Sequence, residues 1–380
     1  MNFELSETQK QYKAEIYHFS KQNLNDVTRL NSFPKDLWEK ISGFGLNGIT
    51  IPEESGGLGE SYLTAAICME ALGYSCENNG LIFVLTNHIW VALNIIDLYG
   101  TSAQKEKYLP SMLSGKKIGA FALTEADSGS DAMAMRSFAK KQQYGYELNG
   151  SKMFVSNGPI ADIFIVVALT KQEPKEYTVF IVEKEFPGIK VGKEIEKMGL
   201  DCCPISEITF DRCLIPFENV LGKSGSGNII MAEVLTWERC YEFAPHVGAM
   251  QRILDCCLKY VNERKQFGKY IKEFQAVSHI IADMQVAIEL SRTLLYKVAW
   301  LKDQGKKAYK EAAIFKLFVS ESYIKICQNA MQIFGAYGYT KEYGIERELR
   351  DAMACSIYSG TSAIQRNTIF QLFRSKLCLR

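Results

Sequence analysis

The feature that most constrains the fold is the order in which helical and strand-like patterns follow one another along the chain. Residues 1–117 and 228–380 space their apolar side chains at helical intervals, whereas residues 118–227 contain short β-prone runs separated by turn formers. Strands and helices do not alternate, which disfavours a Rossmann-type parallel sheet. We therefore predict an α+β, mainly α protein with an N-terminal helical domain (1–117), a central β-barrel or sandwich domain (118–227) and a C-terminal helical bundle (228–380).

The pattern also predicts individual elements within these three parts. We expect strands over Gly119–Leu123, Tyr146–Val155, Ile163–Leu169, Tyr177–Val182 and Glu207–Phe210. We expect helices over Tyr62–Tyr74, Gly80–Tyr99, Gln104–Ser114, Ile229–Leu254, Phe274–Gln304 and Ala308–Phe334, with a capped helix starting after Ser6 and another starting at Phe33–Trp38. Residues 43–59 are rich in Gly and predict a loop with a short extended piece.

Charge and hydropathy exclude several classes of partner. The 380 residues include 44 Lys and Arg against 43 Asp and Glu, and a net charge of +1 offers no general attraction to nucleic acid or to an anionic membrane. The most apolar run, Gly80–Ile96, is interrupted by Asn87 and His88, and we expect it to be too short and polar to span a membrane. The N-terminus has no apolar signal region, so we expect a cytoplasmic protein.

The cysteines and histidines show no metal-ligand spacing. The eleven cysteines are an odd number without a CxxC pair, and the four histidines are scattered. This pattern favours reduced thiols in the core of a cytosolic protein, and we expect no metal site and no disulfide framework.

Five groups of polar and glycine-rich motifs follow one another along the chain. The first, Ala122–Asp131, comes directly after a predicted strand, where backbone N–H groups can bind a phosphate or the edge of a ring. In isolation this loop is more simply interpreted as an ordinary turn. The others are Asn149–Gly158; Glu263–Lys269 with Phe274 and Gln275; Gln332–Gly338 with Arg350 and Asp351; and Ile357–Thr361 with Gln365 and Arg366.

In this order and spacing, the motifs resemble those of the acyl-CoA dehydrogenase family over nearly the whole chain. The resemblance implies an N-terminal helical domain, a central β-domain and a C-terminal four-helix bundle, with FAD as cofactor. It also implies a homo-oligomer, expected to be a tetramer, in which two subunits build each FAD site. The family's reaction removes the α-proton of an acyl thioester with a carboxylate while a hydride leaves the β-carbon for the flavin.

The resemblance also implies roles for individual residues. Phe121, Leu123, Thr124 and Ser130 would contact FAD from the first loop, and Phe154 and Ser156 would cover the flavin, although the family more often has Trp and Thr at these two positions. Arg264, Phe267, Gln275 and Gln332 would reach the FAD of a neighbouring subunit, and Thr361 would lie near its adenosine diphosphate part. An Arg suits a pyrophosphate because its guanidinium pairs bidentately. Core packing remains the alternative for Phe121, Phe154 and Phe267.

The catalytic base departs from the usual family pattern. Most members carry it in a Tyr-Glu-Gly-Thr turn, where this chain has Tyr358-Ser359-Gly360-Thr361, and a serine cannot take the proton without a partner base. A minority of the family places the Glu on a bundle helix before an Arg, as Glu238 stands before Arg239 here. We expect Glu238 to be the base, and Arg239, Glu242, Ser359 and Gly360 to bind the substrate.

Two alternatives remain open for these residues. Glu238 could instead pair with Arg239 or a surface Lys, and the chain could then be a flavoprotein scaffold without activity. The backbone N–H of Ser359 could still polarise a thioester carbonyl. His246, two helical turns after Glu238, reads as a hydrogen-bonded structural histidine, although either it or Glu242 could contact a polar substrate.

The expected substrate is an aminoacyl group, most simply prolyl, carried on the phosphopantetheine of an acyl or peptidyl carrier protein. Many CoA-using members have Asp where this chain has Thr236, and residues 237–250 are similar to members that oxidise such tethered prolyl groups. A short- or branched-chain acyl-CoA dehydrogenase is the alternative. Reduced flavin would pass electrons to oxygen or to an electron-transfer flavoprotein. An acidic carrier would dock on a basic patch, for which Lys302, Lys306 and Lys307 are candidates.

Overall fold

The computed structural model describes residues 4–25 and 32–377, and in it helices flank a central mixed sheet, as the sequence pattern predicts. The first helix begins with a capping box, in which Ser6 Oγ accepts the backbone N–H of Gln9 and the Gln9 side chain accepts that of Ser6. The N-terminal helices are α1 (Glu7–Asn23), α2 (Lys35–Gly43), α3 (Tyr62–Ser75), α4 (Asn79–His88), α5 (Asn94–Tyr99) and α6 (Ser102–Leu113).

The predicted helix over Gly80–Tyr99 is present and contains the most apolar run of the chain. A π-helical segment, Ile89–Leu93, joins α4 to α5, so that Asn79–Tyr99 forms a helix of 21 residues with a mean hydropathy of 1.7 in its most apolar window. Among the described residues it alone is long and apolar enough to cross a membrane, so the expectation that this run is too short was wrong. The window is 89% buried inside the protein, so its apolar side chains pack in the core.

The segment between α2 and α3 folds back on itself without the expected extended piece. It forms 3-10 turns at Leu46–Gly48 and Glu53–Ser55, and the backbone N–H of Leu58 donates to Gly48 O. Gly57 makes this closure possible, because a Cβ there would collide with backbone oxygens of Gly48 and Ile51. At the start of α2, Pro34 occupies the position before the first helical turn rather than a place within it.

The central domain is a mixed sheet in the order β6-β7-β3-β2-β4-β5-β8, with β1 parallel to β4. All five predicted strands are present. The pattern missed β2 and β6, which are short and rich in Lys, and β8, which has two residues. The strands are β1 (Gly119–Ala122), β2 (Phe138–Lys141), β3 (Gly145–Ser156), β4 (Ile163–Lys171), β5 (Glu176–Glu183), β6 (Ile189–Glu194), β7 (Ile205–Pro216) and β8 (Val220–Leu221).

Strand β4 joins two hydrophobic cores because it is buried on both faces. Ile163, Ile165 and Val167 pack into the core that the sheet shares with the helices, whereas Phe164 and Val166 point into the interior of the β-domain. Alternate residues of a strand point to opposite faces, so one continuous apolar run serves both cores.

The C-terminal helices begin with a break that the sequence pattern did not predict. In place of one helix over Ile229–Leu254, α7 and α8 are separated by a π-helical turn at Glu238–Glu242. Pro245 follows this turn and lacks the N–H that would bond the carbonyl four residues earlier, so the regular helix is interrupted there. The elements are α7 (Gly227–Trp237), α8 (Ala244–Glu263), β9 (Lys265–Gln266), β10 (Lys269–Tyr270), α9 (Gln275–Asp303), α10 (Tyr309–Phe334), α11 (Ala336–Tyr339), α12 (Ile345–Met353) and α13 (Ser362–Leu377).

A buried polar network connects the three parts of the chain. Arg252 on α8 pairs with Glu348 on α12 at 2.7 Å and also donates to backbone oxygens of Gly73 and Cys76. Asn79 on α4 donates to both Glu348 and Asp351, and Asp351 Oδ1 accepts the backbone N–H of Leu200 from the β-domain. These bonds hold the β-domain, the N-terminal helices and the bundle around a common centre.

Candidate active site

An apolar cavity of about 260 Å³ lies between the end of β3 and the turn that precedes α13. Phe154 and Ser156 line it from β3, and Ile357 and Tyr358 line it from the turn. Phe154 and Ile357 are large apolar residues that are nevertheless 57% and 66% exposed. Phe154 also adopts a φ of 57°, a left-handed conformation that costs about 1–3 kcal/mol for such a residue. Exposed, strained apolar side chains along a cavity are what a bound planar ring would cover.

Glu238 meets Ser359 beside this cavity, although 121 residues separate them. Ser359 Oγ donates a hydrogen bond to Glu238 Oε1 at 2.7 Å. Ser359 has a φ of 56°, and the Gln365 side chain donates to the carbonyl oxygens of both Ser359 and Gly360, which holds this turn in place. The structure thus brings the serine of the turn and the glutamate of the π-helical turn into direct contact.

The surroundings of Glu238 favour a basic carboxylate. Burial raises its pKa, and this effect is opposed by the Ser359 hydrogen bond and by the positive charges of Arg239 and Lys316. Within the described residues, Glu238 forms no ion pair within 4.0 Å, unlike the buried Glu348. The structure therefore does not show the pairing of Glu238 with Arg239 or a surface Lys that was the structural alternative.

Two cationic side chains near Glu238 have a buried nitrogen without a hydrogen-bond partner among the described residues. Arg239 Nε and Lys316 Nζ are both buried and unpartnered in the described part of the chain, and Lys316 Nζ lies 5.2 Å from the ring centre of Phe243. Burial lowers the pKa of Lys316 to about 8. Polar groups buried without partners are costly, and they are found where a ligand or a reaction makes use of them.

Glu242 lies on the same π-helical turn and is only 2% exposed. Its Oε1 accepts hydrogen bonds from Thr86 Oγ1 at 2.9 Å and Asn87 Nδ2 at 2.7 Å, while its Oε2 is buried without a partner among the described residues. Burial raises the pKa of Glu242 well above its usual range, and the charge of Glu238 raises it further. Both effects disfavour the charged form of this carboxyl group.

His246 is a satisfied buried histidine, as its pattern predicted. Its Nε2 is 2.6 Å from Tyr358 Oη and 3.3 Å from Cys355 Sγ, and its ring stacks on Tyr323. Burial lowers the pKa of His246 to about 3, so the ring is neutral. Tyr358, which lines the cavity, is held in position from behind by this contact.

A buried ion pair that sequence reasoning missed positions the first motif. Lys152 Nζ on β3 donates to Glu125 Oε1 at 2.8 Å and to Leu123 O, while Glu125 also accepts the backbone N–H groups of Arg136 and Ser137. The signal was available, because Lys152 interrupts the apolar alternation of a strand. Phe121, Leu123 and Thr124 are half-buried beside this ion pair, whereas Ser130 is exposed.

The residues expected to reach a neighbouring subunit lie on the outside of the protomer. Arg264, Gln275 and Gln332 are exposed, and Phe267 is 93% exposed with a φ of 50°. Thr361 caps the start of α13, where its Oγ1 accepts the backbone N–H of Ile364. None of these five residues lines the cavity of about 260 Å³.

Thr236 and Lys302, which bear on the expected substrate and on docking of its carrier, both make contacts within the protein. The Thr236 hydroxyl donates to Ala232 O of its own helix, and it lacks the negative charge of the Asp that many CoA-using members carry at this position. Lys302 was a wrong choice for an exposed basic patch, because its Nζ packs against the rings of Trp237 and Tyr62 and burial lowers its pKa to about 6. Lys306 and Lys307 are exposed.

Comparison with known protein families decides the relationship. The N-terminal, middle and C-terminal domain models of acyl-CoA dehydrogenase match residues 6–116, 120–213 and 225–372. The chain belongs to the acyl-CoA dehydrogenase family.

Individual members of the family are similar over almost the whole length. Isovaleryl-CoA dehydrogenase of Oryza sativa is 38% identical, with 96% of this chain and 90% of the relative covered. The L-prolyl-[peptidyl-carrier protein] dehydrogenase of Pseudomonas fluorescens is 37% identical, with 97% and 98% covered. The crystal structure of the prolyl acyl carrier protein oxidase AnaB superposes with a TM-score of 0.96 at 38% identity, covering 97% of this chain and all of AnaB. The FAD complex of PigA gives 0.96 at 36% identity, covering 98% and 99%.

This family member is an FAD-dependent dehydrogenase or oxidase. Its own residues fit the cofactor. The apolar cavity walls with the exposed, strained Phe154 suit a flat ring, and the exposed guanidinium of Arg264 suits a pyrophosphate. We propose the FAD contacts that the motifs imply: Phe121, Leu123, Thr124, Ser130, Phe154, Ser156 and Thr361, with Arg264, Phe267, Gln275 and Gln332 toward a neighbouring subunit.

Proposed function

We propose that this enzyme oxidises an aminoacyl group, most simply prolyl, that a carrier protein presents as a phosphopantetheine thioester. The observation that carries the proposal is the hydrogen bond between Ser359 and Glu238 beside the cavity. It supplies a half-buried carboxylate at the turn where most family members carry their own glutamate. One relative, the L-prolyl-[peptidyl-carrier protein] dehydrogenase, and one solved structure, the prolyl acyl carrier protein oxidase AnaB, support the choice of substrate.

Glu238 is the proposed catalytic base. Its carboxylate takes the α-proton of the thioester, and burial raises its pKa toward the working range of a general base. The Ser359 hydroxyl orients the carboxylate, and the backbone N–H of Ser359 polarises the thioester carbonyl and lowers the barrier to proton loss. FAD, when bound, supplies the acceptor for the hydride from the β-carbon.

Arg239, Glu242, Ser359 and Gly360 form the proposed substrate-binding set. Arg239 and Glu242 belong to the π-helical turn that contains Glu238, whereas Ser359 and Gly360 belong to the turn before α13. Tyr358, next to Ser359, lines the cavity and packs against Phe83 of α4 with 4.8 Å between the ring centres. The product would be a pyrroline- or pyrrole-type thioester, and the reduced enzyme would pass electrons to oxygen or an electron-transfer flavoprotein.

The test is anaerobic bleaching of the flavin absorbance of the purified enzyme. Prolyl-loaded carrier protein should bleach it, and Glu238→Gln should slow bleaching at least about 1,000-fold while FAD content stays unchanged, because the amide cannot take a proton. The exposed Glu39→Gln on α2 is the matched control and should behave as wild type. Bleaching by Glu238→Gln at the wild-type rate would overturn the assignment of the base.

A short- or branched-chain acyl-CoA dehydrogenase is the second candidate, favoured by the 38% identity to isovaleryl-CoA dehydrogenase. The Thr236 hydroxyl is buried and donates to a carbonyl of its own helix, which argues against a site adapted to free CoA. A panel of short acyl-CoA esters in the same assay separates the two. Bleaching by acyl-CoA alone would establish the second candidate in place of the first.

We also propose a homo-oligomer, most simply a tetramer, since Arg264, Phe267 and Gln332 are exposed on one protomer and would serve a neighbouring FAD. Light scattering of the FAD-loaded enzyme tests this. Phe267→Ser should weaken both assembly and FAD retention. A monomer that is fully loaded with FAD would contradict the proposal.

A further inference from the structure

The clearest unexplained atom in the described structure is Glu242 Oε2. Glu242 is 2% exposed, its Oε1 accepts two hydrogen bonds, and its Oε2 is buried without a partner. Both donors, Thr86 Oγ1 and Asn87 Nδ2, point at the same oxygen and hold the carboxyl group in one orientation. A change of protonation does not resolve this, because a proton on Oε2 would be a donor that likewise lacks an acceptor.

The position of Glu242 relative to Glu238 indicates which kind of ligand could donate a hydrogen bond to Oε2. Glu238 and Glu242 are four residues apart on one turn, a spacing that places side chains on neighbouring parts of a helix face. The charge of Glu238 raises the pKa of Glu242, and the charge of Glu242 in turn raises the pKa of Tyr358 in the cavity wall. Thr86 Oγ1 also contacts the carbonyl of Phe83, which lines the cavity. Glu242 therefore lies beside Glu238 and behind the cavity-lining residues Phe83 and Tyr358.

We propose that Glu242 Oε2 receives the amino group of the substrate, so that this enzyme selects aminoacyl thioesters over simple acyl thioesters. The inference rests on the proposed reaction, and its geometry follows from the substrate's covalent structure. The amino nitrogen is bonded to the carbon that loses its proton, so the amine receptor and the base must lie side by side. An ammonium or amine N–H donates to Oε2, whereas a simple acyl chain offers only C–H there and leaves Oε2 unpartnered.

The test compares two substrates of nearly the same shape on the FAD-loaded, full-length enzyme. One carrier protein is loaded with prolyl and the other with cyclopentanecarbonyl, which replaces the ring N–H by CH₂. Wild type should favour the prolyl carrier in kcat/KM by roughly 10- to 100-fold, the range of a hydrogen bond to a charged group. Calorimetric affinity for the two carriers should follow the same order.

Substitutions at Glu242 then separate recognition from chemistry. Glu242→Gln should lower kcat/KM for the prolyl carrier about 10-fold or more while leaving cyclopentanecarbonyl within about 3-fold. Glu242→Leu, which fills the site with apolar volume, should reverse the preference. The exposed Glu39→Gln should keep the wild-type ratio. Thermal melting and FAD content show that each variant is folded.

The possible outcomes distinguish this inference from the function on which it rests. Wild-type bleaching by the prolyl carrier, with the same prolyl preference in both Glu242 variants, would overturn the amine receptor and leave the proposed function standing. Absence of wild-type bleaching by either carrier would overturn both. Loss of the preference in Glu242→Gln, together with its reversal in Glu242→Leu, would establish the inference.

Discussion

Two regions of the molecule bury charged side chains in opposite ways. In the β-domain, Lys152 and Glu125 form an ion pair in which the Glu also accepts two backbone N–H groups. Around the π-helical turn, Glu242 Oε2, Arg239 Nε and Lys316 Nζ are buried and lack hydrogen-bond partners among the described residues. A buried charge with all of its partners holds a loop in place, whereas a buried polar atom without one is available to a ligand.

Breaking the satisfied pair should have the largest effect on stability. Glu125→Gln leaves the buried Lys152 charge without its carboxylate, and we expect it to lower the free energy of unfolding by about 3 kcal/mol. FAD content should fall as well, because Glu125 holds the backbone of Arg136 and Ser137. Chemical denaturation measures the first effect and flavin absorbance the second. Adding Lys152→Met should recover much of the lost stability; a double variant as unstable as the single one would show that the pair is not the cause.

Around the π-helical turn, Ser359 supplies the one hydrogen bond that the Glu238 carboxylate accepts from the described residues. Its hydroxyl donates to Glu238 and favours the charged carboxylate, so Ser359→Ala should raise the pKa of Glu238. Since the base works deprotonated, the acidic limb of the kcat pH profile should move upward by about one pH unit, equivalent to about 1.4 kcal/mol. Ser356→Ala, which loses only a bond to Met353 O, is the control. A downward shift of the limb would refute the assignment.

His88 belongs to the satisfied class and makes the fold sensitive to acid. Its Nδ1 accepts the backbone N–H of Gly119 and its Nε2 donates to Met112 O, so the neutral ring is required, and burial lowers its pKa to about 4. The unfolded chain takes up the proton near pH 6.5, so this stability is present above pH 6.5 and is lost as the pH falls toward 4.

The corresponding measurement compares denaturation midpoints at pH 7.5 and 5.5. Between these two pH values, His88 should account for a loss of about 1.4 kcal/mol in the free energy of unfolding. The loss in His88→Gln over the same interval should be smaller than that of wild type by this amount. The exposed His279→Gln should retain the wild-type difference. An identical acid response in wild type and His88→Gln would show that the buried ring does not carry the effect.

The smallest expected effect is at Lys316, and it contrasts most directly with Lys152. Both ammonium groups are buried, but Lys316 Nζ has no hydrogen-bond partner among the described residues. Lys316→Met should therefore change the free energy of unfolding by no more than about 1 kcal/mol, with an increase as the expected sign. Lys152→Met leaves the Glu125 carboxylate without its ion-pair partner and should be clearly destabilising. Thermal melting of the two variants measures the difference. Equal losses in the two variants would remove the distinction between the regions.

Much of the architecture could be predicted because local patterns encode local structure. Apolar spacing predicted the helical, β and helical order, and the five predicted strands are present. The errors occurred where tertiary contacts override a local pattern. The predicted helix over Ile229–Leu254 breaks at Glu238–Glu242 before Pro245, and the segment between α2 and α3 forms 3-10 turns in place of the expected extended piece.

By itself, the sequence determined the order of the elements, the family motifs and the presence of a Glu before an Arg on a bundle helix. Only the tertiary structure decided that Ser359 meets Glu238 across 121 residues, that Glu125 pairs with Lys152, and that Glu242 Oε2 has no partner among the residues that the structure describes. The physical reason is that helix and strand periodicity depends on residues a few positions apart. Hydrogen bonding and burial of a charge depend instead on which distant segments pack together, and no local pattern specifies that packing.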